Sequence, residues 1–250
     1  MPDPAFGSFD YSLIQGIPEV RIRIRRLQER LLAKQGEGRM LEVGLGAGDV
    51  TLMLSDTLRL RGKGSLTCVD LSEENIELAR TRLGQERAAQ VRFCCAPIET
   101  APLDGTFDDI VLLGLLEHLE NPVPVLERLR SLLAPNGILH VTVNLAHSLH
   151  RLLGVEMGQI SDVEALSAND VRLGHYRVYS LPQLRGHLQA AGLAILQEEP
   201  FYLKPLPTSM LTDLPMALHE GLEKLGERFP EFASYVYLTA GETLKNRHGA

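Results

Sequence analysis

Apolar and polar positions come in blocks along this chain: short apolar runs alternate with stretches of helical spacing, and Gly, Pro or Asn marks most of the joints. Strands are expected at 40–43, 65–70, 91–95, 109–113 and 138–143. Helices are expected between them at 50–60, 72–83 and 123–133. Ser72, followed by Glu73, Glu74 and Asn75, reads as an N-cap with an acidic first turn. Pro122 and Pro124 suit a helix start, and Ala134-Pro-Asn-Gly137 a stop and turn. A further helix at 180–191 opens with Ser-Leu-Pro, stops at Gly192 and leads into a strand at 193–197. Residues 234–240 alternate like a late strand. This alternation predicts an α/β fold, a parallel sheet with helices on both faces.

Two segments fit the sheet poorly. Residues 144–179 separate the fifth strand from the next helix, and residues 200–232 separate the last two strands, with a helical piece at 214–229. Connections of that length are lids or binding loops, or else extra helices covering the core. Both should emerge near the carboxyl ends of strands, where open α/β sheets bind ligands. An N-terminal helix at 18–34 is expected to close the same crevice. The chain thus reads as one domain over 1–250: a helical segment at 1–35, a core at 36–145, a cap insertion at 146–179, and the rest of the sheet at 180–250 with a second insertion at 200–232.

Composition narrows this only a little. At 250 residues the chain can bury a full core, and 44% hydrophobic with 23% charged residues suits a soluble globular protein. A net charge of −7 and the lack of a long basic tract argue against a nucleic-acid footprint. The one basic run, Arg21-Ile-Arg-Ile-Arg-Arg26, reads as a solvated helix face. No secretory h-region or bilayer-length apolar stretch is present, so no membrane partner is expected. Cys68, Cys94 and Cys95, an odd count in strand-like runs, are expected to be reduced core thiols in a cytoplasmic protein. The sequence is compatible with a homodimer but does not fix oligomeric state.

The chemistry begins at Arg39-Met-Leu-Glu-Val-Gly-Leu-Gly-Ala-Gly-Asp49. An apolar run enters Gly44, Gly46 and Gly48, and a helical pattern follows, so bare backbone N–H groups lie open to a ligand. A dinucleotide fingerprint needs its third glycine three residues after the second, and Asp49 holds that place. A nicotinamide-dependent reductase is thereby disfavoured. Asp70 ends the second strand about twenty residues past the glycines, where a carboxylate can accept both hydroxyls of a ribose. Leu71, Ala96 and Ile98 could sandwich an adenine.

The Gly-x-Gly-x-Gly turn with Glu42 before it resembles the first motif of class I S-adenosylmethionine-dependent methyltransferases. Thr106-Phe-Asp-Asp-Ile-Val-Leu-Leu-Gly-Leu-Leu-Glu-His-Leu-Glu-Asn-Pro122 resembles the fourth-strand region of small-molecule methyltransferases of the ubiquinone/menaquinone-biosynthesis type. Ala134-Pro-Asn-Gly-Ile-Leu139 is similar to their Lys-Pro-Gly-Gly turn. The resemblance covers about residues 38–145, with 179–197 similar to a later family element. It implies a Rossmann-like seven-stranded sheet flanked by helices, with helical cap insertions, and S-adenosylmethionine as cofactor. It also implies methyl transfer to an O, N or C atom of a small molecule. Glu42 would hold the methionine amino group through water, Asp70 the ribose, and Leu113, Gly114 and Leu115 would flank the methionyl chain; His118, just past the fourth strand, either packs its helix or contacts the same chain.

The family's third strand commonly ends Gly-Asp-Ala, and here Cys95-Ala-Pro97 replaces the acid for the adenine amino group, leaving backbone or Glu99 to substitute. Leu113-Gly-Leu-Leu116 in place of Asn-Pro-Pro-Tyr argues against methylation of an adenine or glutamine amide nitrogen. For acid–base work His150 and His175 are the expected residues, with His147, Arg151, Tyr176 and Arg177 as polar contacts to the acceptor. His140 is expected in the core, and His187, His219 and His248 at the surface. Met157, Met210 and Met216 could line an apolar pocket or fill the core. A peptide or protein methyltransferase, and a non-catalytic nucleotide-binding protein, are the rival readings.

Overall fold

The computed structural model describes residues 17–34 and 38–242. His248, and residues 1–16 of the expected helical segment at 1–35, lie outside them. Seven strands form one sheet: β1 (Arg39–Val43), β2 (Ser65–Asp70), β3 (Val91–Cys95), β4 (Phe107–Leu113), β5 (Leu133–Asn144), β6 (Leu193–Phe201) and β7 (Tyr235–Glu242). Their order is β3-β2-β1-β4-β5-β7-β6. The first five run parallel, and β7 is antiparallel to both its neighbours, so the expected all-parallel sheet is mixed at one edge. The expected turn at 134–137 does not precede β5 but is folded into it. Pairing with β4 jumps from Phe107↔Leu133 to Asp109↔Ile138, and Asn136 takes a left-handed φ of 66°.

The inner strands β1, β2, β4, β5 and β7 bury both faces, the pattern of a sheet covered by helices on both sides, whereas the edge strands β3 and β6 are half-buried or exposed over most of their length. On β1, Leu41 and Val43 join the cluster containing Ile110, Leu112 and Leu126, whereas Met40 joins Leu66, Cys68 and Val111 on the opposite face. Helices α2 (Asp49–Arg61), α3 (Glu73–Leu83), the short α4 (Gln85–Ala88), α5 (Pro122–Ser131) and α8 (Leu181–Ala190) connect the strands. Ser72 caps α3, its hydroxyl accepting from Asn75 N, as its place in the sequence predicts. Cys68 is buried as expected, but Cys94 is half-buried and Cys95 exposed at the tip of β3.

Helix α1 (Pro18–Ala33) contradicts the reading of the basic run as a solvated face. It buries Ile22, Leu27 and Leu31 on one side. On another, Arg25 and Arg26 pair with Glu223, Arg26 also with Glu227 and Glu199, and Arg30 with Glu199. The run is a docking seam onto α9 (Met216–Arg228) and β6. At its end Lys34 Nζ reaches Asp109 Oδ1 at 2.5 Å. Asp109 also accepts from His140 Nε2 (2.8 Å), whose Nδ1 lies 2.6 Å from the Tyr237 hydroxyl. The consistent arrangement is a neutral imidazole donating to the carboxylate and accepting from tyrosine. His140 is therefore a core residue, as expected. His219 is not at the surface: fully buried, it bonds Tyr202 Oη and the Leu211 carbonyl.

The long connections hold α6 (Leu149–Glu156) and α7 (Ala168–Arg172) in the first, and α9 in the second. No helix among the described residues is long and apolar enough to cross a membrane.

Candidate functional site

The parallel strands deliver their carboxyl ends to one side of the sheet, and a cavity of about 1430 Å³ opens there. Val43 and Gly44, Asp70, Cys95, Leu113 and Gly114, and Asn144 and Leu145 all reach it from the ends of β1 to β5. It straddles β1 and β4, where the strand order reverses, the place open α/β sheets use for ligands. Its volume exceeds the roughly 300–1,000 Å³ of a single-ligand pocket, leaving room for two molecules.

The glycine turn forms one wall. Gly44 (φ 78°) and Gly46 (φ 50°) line the cavity in the left-handed region, and a Cβ on Gly44 would sit 3.0 Å from Leu115 Cδ1. Gly48 (φ 79°) does not line it. It lets α2 start against α3, because a Cβ there would meet Ala79 Cα at 3.2 Å. Asp49 borders the cavity and pairs with Arg82 (2.7 Å).

Asp70 is fixed before any ligand arrives. Its Oδ2 accepts from Leu45 N in the glycine turn (2.6 Å), and Oδ1 from Ser72 N (2.8 Å) and Asn75 Nδ2 (3.2 Å). The carboxylate thus organises both the turn and the start of α3, while lining the cavity. Leu71, Ala96, Pro97, Ile98 and Glu99 form an apolar slot with one acid at this end.

Glu42 lies beneath the turn rather than in the wall. It is 1% exposed, its Oε1 has no partner, and Cys68 Sγ is 3.4 Å from Oε2. Burial pushes its carboxyl up to about 8, against the opposing pull of the Cys68 thiol.

The other end of the cavity is polar. His118 and His175 enter from the β4 and β5 sides, rings edge to face with centroids 4.6 Å apart. Burial lowers the His118 pKa, partly offset by Glu117. His175 Nδ1 lies 3.3 Å from Asp170 Oδ1. Burial alone would raise the Asp170 carboxyl, but hydrogen bonds from His175, Ser167 and Arg151 hold it well below the usual carboxylate range. His150 also lines the cavity, with Nδ1 buried and without a partner. Burial, with Lys204 and Arg151 nearby, pushes its pKa down to about 2, so the ring stays neutral.

Several sequence expectations fail here. Arg151 touches the cavity but is a brace: Nε bonds Val163 O (2.8 Å), Nη1 bonds Asp170 Oδ2 (3.0 Å), and Nη2 bonds Ala165 O. Three of its five donors are used in folding the insertion, which makes bracing its main role. His147 is exposed and off the cavity. Tyr176 and Arg177 line a separate surface depression with Glu120 and His187, and Arg177 is tied to Glu120 O (2.7 Å). Met157 and Met210 are exposed, and with Met216 they lie outside the cavity.

Charged residues that sequence reasoning missed also line it, among them Glu19 and Arg23 on α1, Asp170 in the insertion, and Lys204 just past β6. The Arg23 guanidinium lies 4.8 Å from the Tyr235 ring centroid, and its Nη1 is 3.6 Å from where a Gly114 Cβ would be. The spacing of Glu19 and Arg23, four apart on one helix face, was the available signal. Among the described residues no group of three His, Cys, Asp or Glu side chains could hold a metal ion.

The model of the family described as "Methyltransferase domain" matches residues 19–198. A ubiquinone biosynthesis O-methyltransferase of Bordetella avium is 30% identical over 118 residues, 46% of each chain. The chain thus spans about half the length of such curated relatives. Among solved structures, magnesium protoporphyrin IX methyltransferase from Synechocystis PCC 6803 with bound SAH superposes at a TM-score of 0.59, with 16% identity, covering 96% of this chain and 91% of that one. The [4+2]-cyclase SpnF superposes at 0.59 with 19% identity, covering 95% and 86%. At such identities the structures show a shared fold, which by itself hosts more than one chemistry.

Proposed function

The chain belongs to the methyltransferase domain family, and on that premise we propose that it transfers a methyl group from S-adenosylmethionine to a small-molecule acceptor. The observation that carries this is a single cavity with an apolar slot and a fixed carboxylate at one end and a titratable cluster at the other. The residues fit the cofactor. Leu71, Ala96 and Ile98 would flank the adenine, Asp70 would accept the ribose hydroxyls beside its backbone bonds, and Gly44 and Gly46 leave backbone bare for the approach. Leu113, Gly114 and His118 would border the methionyl chain, with Arg23 beside Gly114 to take its carboxylate. The unpartnered Glu42 Oε1 offers a buried acceptor under the turn, reached only through intervening groups.

The cofactor, when bound, supplies an electrophilic sulfonium methyl group. What remains for the protein is alignment and exclusion of water. Insertion 146–179 and α1 roof the cavity, which supports a small acceptor over a peptide. His175, with Nδ1 turned to Asp170, keeps Nε2 as its basic nitrogen and can hold the proton an acceptor hydroxyl or amine loses. His150, neutral throughout, can orient the acceptor by a hydrogen bond. We assign the whole of 1–250 to one catalytic domain in the cytoplasm, with no nucleic-acid partner.

Labelled S-adenosylmethionine, incubated with the protein and a fractionated small-molecule extract, should pass its methyl group to an extractable compound. Label confined to protein, or cofactor binding without transfer to any fraction, would overturn the proposal.

A further inference from the structure

Lys204 is a buried cation that the reading above does not use. Its side chain is 11% exposed and lines the polar end of the cavity. Among the described residues, Thr208 Oγ1 is the only hydrogen-bond acceptor for Nζ, at 3.2 Å. An ammonium has three donors. Glu19 Oε1 stands 4.0 Å away, beyond hydrogen-bond reach, while Glu19 Oε2 accepts from the same Thr208 hydroxyl at 2.9 Å. Burial disfavours the charge most, Arg23 and Arg151 oppose it as well, and only Glu19 and Asp170 favour it, neither within hydrogen-bond distance of Nζ. Tyr235 lies under both cations, 5.7 Å from Lys204 Nζ and 4.8 Å from Arg23 Cζ. The Lys204 backbone is fixed as well, its N–H donating to Ser234 Oγ at 3.0 Å.

Resting on the methyltransferase reading, we propose that the methyl acceptor is a monocarboxylic acid whose carboxylate seats on Lys204. A carboxylate can take the two unused ammonium donors in a charge-assisted contact. Glu19 so close by sets the limit: a second negative charge on the same group would meet a like charge at short range, which disfavours phosphate. Leu145, Ile160, Val178 and Pro207 add apolar wall to the same cavity, suited to the remainder of an aromatic or apolar acid.

The test uses the whole chain saturated with S-adenosylhomocysteine and titrated with benzoate, benzamide and phenyl phosphate, followed by ligand-observed NMR. Benzoate should bind at least about tenfold more tightly than either analogue. Lys204→Met should abolish that preference while S-adenosylhomocysteine affinity stays within twofold, and Lys204→Arg should keep the preference. Equal binding of benzoate and benzamide would overturn the proposal, as would tighter binding of phenyl phosphate. A Lys204→Met loss falling on S-adenosylhomocysteine instead would overturn it by assigning Lys204 to the cofactor's carboxylate. Should Lys204→Met fail to fold, the analogue series on the parent protein and Lys204→Arg decides. If the parent protein does not bind S-adenosylhomocysteine, it is the methyltransferase reading that fails, and benzoate against benzamide without it still tests Lys204.

Discussion

The backbone N–H of His150 donates to the carbonyl oxygen of Lys204 at 3.0 Å, fastening the first turn of α6 to the chain that leaves β6. Two long connections that start from different strands are thereby joined at the cavity edge. The groups assigned to the acceptor are held relative to each other by backbone, whatever their side chains do.

His175→Ala should lower turnover about a hundredfold, the scale of a lost general base, with S-adenosylhomocysteine affinity within twofold of the parent. Single-turnover rates and calorimetry on the same preparations check this. Equal turnover would remove His175 from the chemistry.

Asp70→Ala should weaken S-adenosylhomocysteine binding by about 10- to 100-fold, the worth of charge-assisted hydrogen bonds. Part of the loss comes from the glycine turn, since Leu45 N loses its acceptor. A titration showing unchanged affinity would refute the ribose assignment.

Gly48→Ala should cost about 1–3 kcal/mol in urea unfolding, because the residue combines a left-handed φ with contact against Ala79. Gly62 has a similar φ (71°) but open space beyond it, so Gly62→Ala should cost less. The reverse ranking would contradict the close approach of α2 to α3.

Glu42 gives a stability slope of predictable sign. Its folded pKa, about 8, exceeds the ordinary 4.5, so the folded state binds the extra proton between those values. Its contribution is full below about pH 4.5 and is lost as pH rises through 8, with a slope up to about 1.4 kcal/mol per unit. His150, depressed to about 2, acts the opposite way, stability falling as pH drops below its ordinary 6.5. Glu42→Gln should flatten the alkaline decline of the melting temperature; an unchanged profile would show that Glu42 ionises freely.

Much of the cofactor half was legible because each motif lies at a strand tip. A strand's length fixes where its last residue emerges, so Gly44, Asp70, Ala96 and Leu113 reach one cavity as expected. Glu42 shows the limit, since on β1 it alternates to the same face as Met40 and is buried below the turn. The acceptor half was legible only in outline. Insertion 146–179 was expected to roof the cavity, and it brings His150 and His175 to the cavity wall. But its residue types do not say which polar groups serve the insertion's own fold, and Arg151 serves Asp170 and two carbonyls. Tyr176 and Arg177 follow His175 directly yet turn to the other surface. Lys204, Glu19 and Tyr235 carried no motif, because their meeting depends on three segments far apart in the chain packing together. His219 was misplaced for a related reason: it turns from α9 onto Tyr202, and no neighbour in sequence marks it.

Helix α1 is held by hydrocarbon along one flank and by an arginine–glutamate lattice along another. Dissolved salt screens the outer Arg25 and Arg30 pairs most and the buried Arg26–Glu223 pair least, and leaves the greasy side intact. Rising ionic strength would therefore slacken this ceiling from a single edge, like a hatch on an oiled hinge, and ligand exchange should quicken in brine well before the interior melts.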